Sequence, residues 1–506
     1  MRTVYKGVMS YQVPEDFPTL PSNTNIPHSL TGDDLKVFSG ARSNVRYVQA
    51  ASGQNVGAGS NILFNMPAEP YGYIKPNSMV LRGTIQVTQA AAASTVWAFA
   101  GQPNPIAACP TAFAGTAPNI FTWYTTPSGA TVPSVGAAAG SPGSNVYNGG
   151  AASLLNRISV TLPGGASMTY NQHHHWRNAV TPHVLSKPYV EGDLRQLEGG
   201  TIAVNTASGV GTAPSTLRSF CIPLDIPLFN ADAAFPMLLC SGGMTIEFTT
   251  NSVQEAFMST VASVTSYTLT TLALVYEVIT VTPDFKSALM HAKKDKPYMI
   301  HVNDRINLGP VVSNSSQRFN LGVSLSSMKC VLFTEMCQAQ LQGTQDNNAR
   351  PLEKFYGGSQ IFQYNVYRDG LQITPNYCVS DDLWFAEMNR AVGRINESTS
   401  TSAMYAVTPQ AASSERTTYS RSQLLLGATM QTIDDWSFAA QGVSVDQLSI
   451  EVFKHLLTAD IDGPYIGCIG LPATAGAAIP YANLYLWACF DSVVVIMPDG
   501  MCTIRR

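Results

Sequence analysis

Residues 267–281 read YTLTTLALVYEVITV, and residues 483–497 read NLYLWACFDSVVVIM. Both runs are dominated by β-branched, aromatic and aliphatic residues, the composition of strands. Shorter stretches of the same kind precede each. Before the first lie 61–66, 79–88, 154–162, 218–229 and 244–250; before the second lie 329–334, 359–367, 424–429 and 448–453. The stretch 154–162, LLNRISVTL, is closed by the turn Pro163-Gly164-Gly165. Arg368-Asp369-Gly370, between QIFQYNVY and LQIT, is a hairpin signal. The spacing between strands is wide, so the loops are long. Helices are few. Residues 283–294, PDFKSALMHAKK, place Pro at the start and Lys at the end, as the helix dipole favours. Residues 380–394 open on Ser380 and two aspartates, and Leu383, Trp384, Met388, Ala391 and Val392 follow a helical period.

The segment 285–303 separates the two strand-rich halves, each the size of one large β-domain. Residues 1–40, with Pro14, Pro18, Pro21 and Pro27, read as an extended arm outside any core. From Gly83 to Asn156, 74 residues contain no Asp, Glu, Lys or Arg, yet include Trp97, Phe99, Phe121, Trp123 and Tyr124. A disordered linker would hold few aromatics. One reading is an ordered loop folded on its own domain. The other is a loop packed against a neighbouring subunit, with these five aromatics as buried anchors.

Composition supports a protein that hides surface against copies of itself. The chain of 506 residues is 45% hydrophobic and only 12% charged, about half the ~25% of ordinary globular domains. The net charge is −4 with no basic tail, which argues against sequence-specific or bulk nucleic-acid binding. Nine cysteines are scattered without a Cys-x-x-Cys pair and read as reduced, mostly buried thiols. The first residues lack the apolar core of a secretory signal, and no run of 18 apolar residues marks a membrane-spanning helix. Together these point to a cytosol-like site of synthesis.

Motifs that carry chemistry are missing. There is no phosphate-binding Gly-rich loop, no dinucleotide fingerprint, no zinc-protease pair and no nucleophile elbow. His173, His174 and His175 form the one conspicuous cluster. Adjacent strand residues point to opposite faces, so the triplet fits a metal site poorly, and its default reading is the polar end of a strand or short helix leading into Trp176. The pairs Asp33-Asp34, Asp381-Asp382 and Asp434-Asp435 are adjacent in sequence and read as caps or solvated turns. Cys330 or Cys337 with His301 or His455 would form a nucleophile pair only if the fold brought them together. No cofactor or catalytic residue is expected.

Two ordered sets of short motifs resemble a known family. The first runs from LLNRISVTLPGGASMTYNQHHHW through Ile222-Pro223-Leu224 and Phe235-Pro236-Met237-Leu238-Leu239 to YTLTTLALVYEV. The second comprises Tyr367 with the Asp369-Gly370 turn and Pro375, then Gly442 and Ser444 before 448–453, then LYLWACFDSVVVIMPDG. In order and spacing they resemble the double jelly-roll major capsid proteins of tailless icosahedral DNA viruses: virophages, polinton-like viruses and, more distantly, the adenovirus type. The resemblance implies an all-β chain of two consecutive eight-stranded jelly-roll sandwiches with long loop insertions and a few short helices. It divides the chain into an arm (1–44), a first jelly roll (45–285, with the insertion 83–156), a linking helix and connection (286–303) and a second jelly roll (304–506). It further implies a homotrimer forming a pseudo-hexagonal capsomer, with neighbouring capsomers and minor capsid or penton proteins as partners. The location would be the virion, after synthesis in host cytoplasm or a viral factory, with room for an internal membrane in the particle. The alternative is a β-sandwich that binds or cleaves glycans, using Trp97, Trp123 and Tyr124 to stack on sugar rings.

Overall fold

Alternation of apolar and polar residues builds the first half of the chain. In the computed structural model the described residues are 41–89, 97–99, 150–180, 184, 197–198, 217–231, 233–259, 264–293, 296–312, 316–337, 361–374, 381–392, 425–430, 442–454 and 482–506. The first half contains β1 (Arg42–Gln49), β2 (Asn61–Met66), β3 (Gly72–Ile74), β4 (Val80–Gln89), β5 (Trp97–Phe99), β6 (Leu155–Thr161), β7 (Ser167–Tyr170), β8 (Leu217–Pro223), β9 (Met244–Thr250), β10 (Phe257–Ser259) and β11 (Val264–Thr280). Helix α1 (His173–Ala179) follows β7, the single turn α2 (Val253–Ala256) precedes β10, and α3 (Pro283–Lys293) follows β11. The second half contains β12 (Tyr298–Val312), β13 (Gln317–Leu321), β14 (Leu325–Cys337), β15 (Ile361–Arg368), β16 (Leu371–Gln372), helix α4 (Asp381–Ala391), β17 (Leu426–Thr429), β18 (Val443–Val445), β19 (Leu448–Lys454), β20 (Ala482–Ile496) and β21 (Cys502–Arg505).

Each half is a two-sheet sandwich with the same wiring. The first pairs β1-β11-β4-β8 against β2-β9-β6-β7; the second pairs β12-β20-β14-β17 against β13-β19-β15-β16. Counting the eight sandwich strands of each half in chain order, one sheet runs first-eighth-third-sixth and the other second-seventh-fourth-fifth. This is a jelly roll, the Greek-key solution that wraps one long hairpin into two packed sheets. The chain is therefore a double jelly roll. β3 adds to β11, β18 to β14 and β21 to β20.

Register explains the cores. Ile62, Phe64 and Met66 of β2 lie opposite Phe248, Ile246 and Met244 of β9, so a single period-2 set points inward from both strands. Phe64 and Phe248 meet edge to face at 5.7 Å. In β11 the inward set changes parity: Tyr267 and Leu269 are buried, and so are Leu272, Leu274, Tyr276 and Val278. A register shift against β4 between Thr270 and Ala273 absorbs the extra residue, with Thr271 at φ 51°. This bulge lets a 17-residue strand bury both of its apolar segments on one face.

β20 is apolar for a different reason. It lies between β12 and β14, and both of its faces are covered. Leu484, Leu486, Ala488 and Phe490 enter the core of the second sandwich. Tyr485, Trp487 and Cys489 face a separate cluster with Trp176, Ala179 and Val180 of the first half and Met388 and Ala391 of α4. Val494 and Ile496 reach the core of the first sandwich, beside Ile300 and Val302 of β12. The two jelly rolls thus share apolar surface and form one body.

Several boundaries differ from the sequence reading. The apolar stretch 218–229 ends as a strand at Pro223 and continues to a 3₁₀ turn at Pro227–Phe229, because proline cannot supply a ladder donor. Residues 298–303 belong to β12 rather than to a connection. The strand read at 79–88 is β4, Val80–Gln89, and it carries the start of the uncharged stretch as expected.

Candidate assembly surfaces and the junction between the sandwiches

The histidine triplet forms the first turn of α1. Its sequence, HHHWRNA, has weak helix propensity, and its N-cap Gln172 sits at φ 50° without a side-chain cap. Tertiary contacts hold the helix in place. Trp176 meets Trp487 of β20 edge to face at 5.7 Å, and His175 lies 4.3 Å from the Tyr485 ring. His173, His174 and His175 are all buried.

Polar groups lock the same junction. Arg305 of β12 forms an ion pair with Asp225 of the first half at 2.9 Å and donates to the Asp225 carbonyl at 2.9 Å. Its guanidinium lies over the rings of Trp176, at 4.4 Å, and Tyr170, at 5.1 Å. Trp176 Nε1 donates to Asp225 Oδ2 at 2.8 Å, and Asn230 Nδ2 donates to Oδ1 at 3.2 Å. Burial raises the Asp225 pKa, but Arg305, His173, Arg177 and the Trp176 hydrogen bond outweigh it and hold the carboxyl below its usual value. Asn307 Nδ2 donates to Gln172 Oε1 at 2.8 Å. Arg177 and Glu198 form a fully buried pair at 2.8 Å, as do Lys329 and Asp491 at 2.9 Å within the second half.

The histidines are neutral here. Burial lowers His173 and His174 to about 3; the Arg305 and Arg177 charges add to the effect at His173, and Asp225 opposes it. Burial and His174 push His175 well below its usual value. Both ring nitrogens of His174 are buried without a hydrogen-bond partner. Among the described residues no three His, Cys, Asp or Glu side chains converge as metal ligands. A polar cleft of about 510 Å³ opens beside the triplet, lined by residues that include Asn61, Arg157, Gln172, His174, Glu255 and Tyr485. Glu255 is the one carboxylate in that lining. Cys330 packs in the core opposite Cys489, and burial pushes its thiol well up. His301 is exposed on β12, two strands away in the sheet order, so no thiol–imidazole pair forms between them.

Of the five aromatic anchors read from sequence, Trp97 and Phe99 lie on β5, whose backbone pairs with Ser259 and Phe257 of β10 in the same chain. Phe121, Trp123 and Tyr124 lie outside the described residues, as do Asp33-Asp34, Asp434-Asp435 and His455. The structure draws attention to different apolar surface. β1 and β12 are the terminal strands of their sheets among the described residues, and they occupy equivalent places in the two jelly rolls. Val45 and Tyr47 on β1 are 51% and 65% exposed, and Met299 on β12 is 53% exposed. An edge strand with outward apolar side chains is a template for contact with another chain. Sequence reasoning missed these residues, although Val45 and Tyr47 alternate with Asn44 and Arg46 in RSNVRYVQ. It also missed Arg305, a lone cation in a strand.

No protein-family model matches the chain, and no curated protein matches its sequence. Solved structures do match. A chain of the PBCV-1 virus capsid aligns with TM-score 0.52 at 10% identity, over 92% of this chain and 97% of that one. A chain of the Sputnik virophage aligns with TM-score 0.51 at 11% identity, over 100% and 94%. The Faustovirus major capsid protein aligns with TM-score 0.50 at 10% identity, over 91% of each. These are double jelly-roll major capsid proteins, and what is shared at such identities is the fold. No helix among the described residues is long and apolar enough to cross a membrane.

Proposed function

We propose that the chain is a major capsid protein: a structural subunit, not an enzyme, that trimerises into pseudo-hexagonal capsomers and tiles an icosahedral shell around a DNA genome. One observation carries this reading. Two complete jelly rolls with identical strand order lie in one chain and are fused by a shared core. Three such chains around an axis present six similar sandwiches, which is how a trimer imitates a hexagon. The fold it shares with the PBCV-1, Sputnik and Faustovirus capsid chains supports the same role. So does the low charge of the chain, which suits surface buried between copies. The exposed apolar residues on β1 and β12 would face neighbours, and the uncharged insertion with Trp97, Phe99, Phe121, Trp123 and Tyr124 would pack against the adjacent subunit. Neighbouring capsomers and minor capsid or penton proteins would complete the shell within a virion.

A glycan-cleaving sandwich would need two carboxylates facing one substrate, whereas the polar cleft offers Glu255 alone. The two readings separate in one preparation. Light scattering and electron microscopy of the expressed protein should show trimers with a pseudo-hexagonal outline, and a glycan array should stay silent. A monomer that binds glycans would overturn the proposal.

A further inference from the structure

The turn that follows β20 leaves its own sandwich and docks on the first. Ser241 N donates to Gly500 O at 3.0 Å, and Cys502 N donates to Pro163 O at 2.7 Å. Both partners, Ser241 and Pro163, lie in loops of the first jelly roll. Ser241 Oγ also reaches Met501 Sδ at 3.5 Å. This docking buries Cys502 within the first core and sets it beside Cys240, which remains partly exposed. The two Sγ atoms lie 4.0 Å apart and are 262 positions apart in sequence. The backbone hydrogen bonds on each side, at Ser241 and Cys502, hold the two thiols in register. The one other close thiol pair among the described residues, Cys330 and Cys489, lies across β14 and β20 and is buried at both members. A soluble reagent therefore reaches Cys240 but not that second pair.

We propose that Cys240 and Cys502 are a disulfide-forming pair that locks the C-terminal hairpin of the second jelly roll onto the first. The co-reactant is a small-molecule disulfide, R–S–S–R. The Cys240 thiolate attacks one sulfur of the reagent, forming a mixed disulfide and expelling RS⁻. The Cys502 thiolate then attacks Cys240 Sγ, forming the internal disulfide and expelling the second RS⁻. The two thiol protons end on the two leaving groups, so two protein thiols are oxidised and one R–S–S–R is reduced to two R–SH. The hydrogen bond to Cys502, with burial, raises the Cys240 thiol, so the first attack draws on a small thiolate fraction and is the slow step. Closing the 4.0 Å gap to a bonded ~2 Å takes side-chain rotation at two positions.

The test incubates the full-length reduced protein with glutathione disulfide and digests it without reductant. Mass spectrometry should find the Cys240–Cys502 cross-linked peptides. Thermal melting should shift upward by roughly 5 °C, the scale expected when a loop of this length is closed in a chain of this size, and dithiothreitol should reverse the shift. Cys240→Ser should abolish both effects. Cys502→Ala should trap glutathione on Cys240 without a cross-link. The proposal is overturned if the native chain carries glutathione on Cys240 and no cross-link, if neither cysteine reacts, or if the melting shift persists in Cys240→Ser. Cys240 is the partly exposed member, so its serine variant also serves as the readout should Cys502→Ala fail to fold.

Discussion

Mild acid should loosen this protein through α1. His173 and His174 titrate near 3 in the folded chain, against ~6.5 when unfolded. A depressed folded-state pKa means the unfolded chain takes up protons first, so the stability present above pH 6.5 is lost progressively as pH falls toward 3. At pH 5 the unfolded chain is protonated at both positions and the folded chain at neither. Each histidine then removes about 2 kcal/mol, or ~4 kcal/mol for the two, a large share of a typical net stability. The loss falls on the surface where Trp176 meets Trp487 and Arg305 meets Asp225. Thermal melting of the wild type at pH 7.5 and pH 5 measures the total acid sensitivity, to which His175 adds in the same direction. His174→Leu isolates one member, because both of its nitrogens lack partners and an apolar replacement forfeits no hydrogen bond. That variant should match or exceed the wild type at pH 7.5 and retain about 2 kcal/mol more at pH 5. Carboxylates cannot mimic the difference, because the variant keeps them all. Equal pH dependence in the variant and the wild type would refute the assignment of acid sensitivity to buried neutral imidazole.

Arg305→Met strands the Asp225 carboxylate and should cost about 2–4 kcal/mol in urea unfolding, less than a fully buried pair because a quarter of the Asp225 side chain stays exposed; adding Asp225→Asn, which removes the charge and keeps an acceptor for Trp176 Nε1, should recover part of it, and no recovery would show that the stranded charge is not the main cost. Gly500→Ala should destabilise by roughly 1–3 kcal/mol, since φ is 81° and a Cβ there meets the Ser241 backbone; an unchanged melting curve would show that the hairpin does not need this docking. Deleting residues 1–40 should leave the solution mass of the trimer intact, after allowing for the deletion, and lower the yield of assembled particles. Loss of folding on that deletion would show that the segment is core.

The sequence was most legible where one face of a strand is buried. Residues 244–250 alternate strictly, and β9 spans Met244–Thr250. The 267–281 run was legible as a strand, but not the bulge that lets its two halves share a face, because LTTL looks like a lapse in alternation until the register against β4 is known. β1 escaped notice because an edge strand buries little: its first four residues, Arg42–Val45, are all exposed. β12 escaped because an inward slot is taken by buried Asp304 and a bulge falls between Asn307 and Pro310. The junction was illegible for a different reason. Arg305 and Asp225 are 80 positions apart, and nothing local distinguishes either from a solvated charge. The histidines could be seen as a cluster, but not as three neutral rings, since their neutrality comes from burial in the folded chain.

β20 and β21 follow every other strand of the described residues, yet β20 sits inside the second sheet and its far end adds Val494 and Ile496 to the core of the first. During synthesis the amino-terminal residues emerge first, so the second jelly roll cannot close until residues 482–506 have left the ribosome, whereas the first has all eight of its strands by Thr280. A chain stalled earlier exposes Leu486, Trp487 and their partners and lacks the strand against which both β12 and β14 pair. The order of the strands thus acts as a checkpoint in time. A chain that stops before β20 therefore presents unpaired strands and apolar surface of the kind chaperones and proteases recognise.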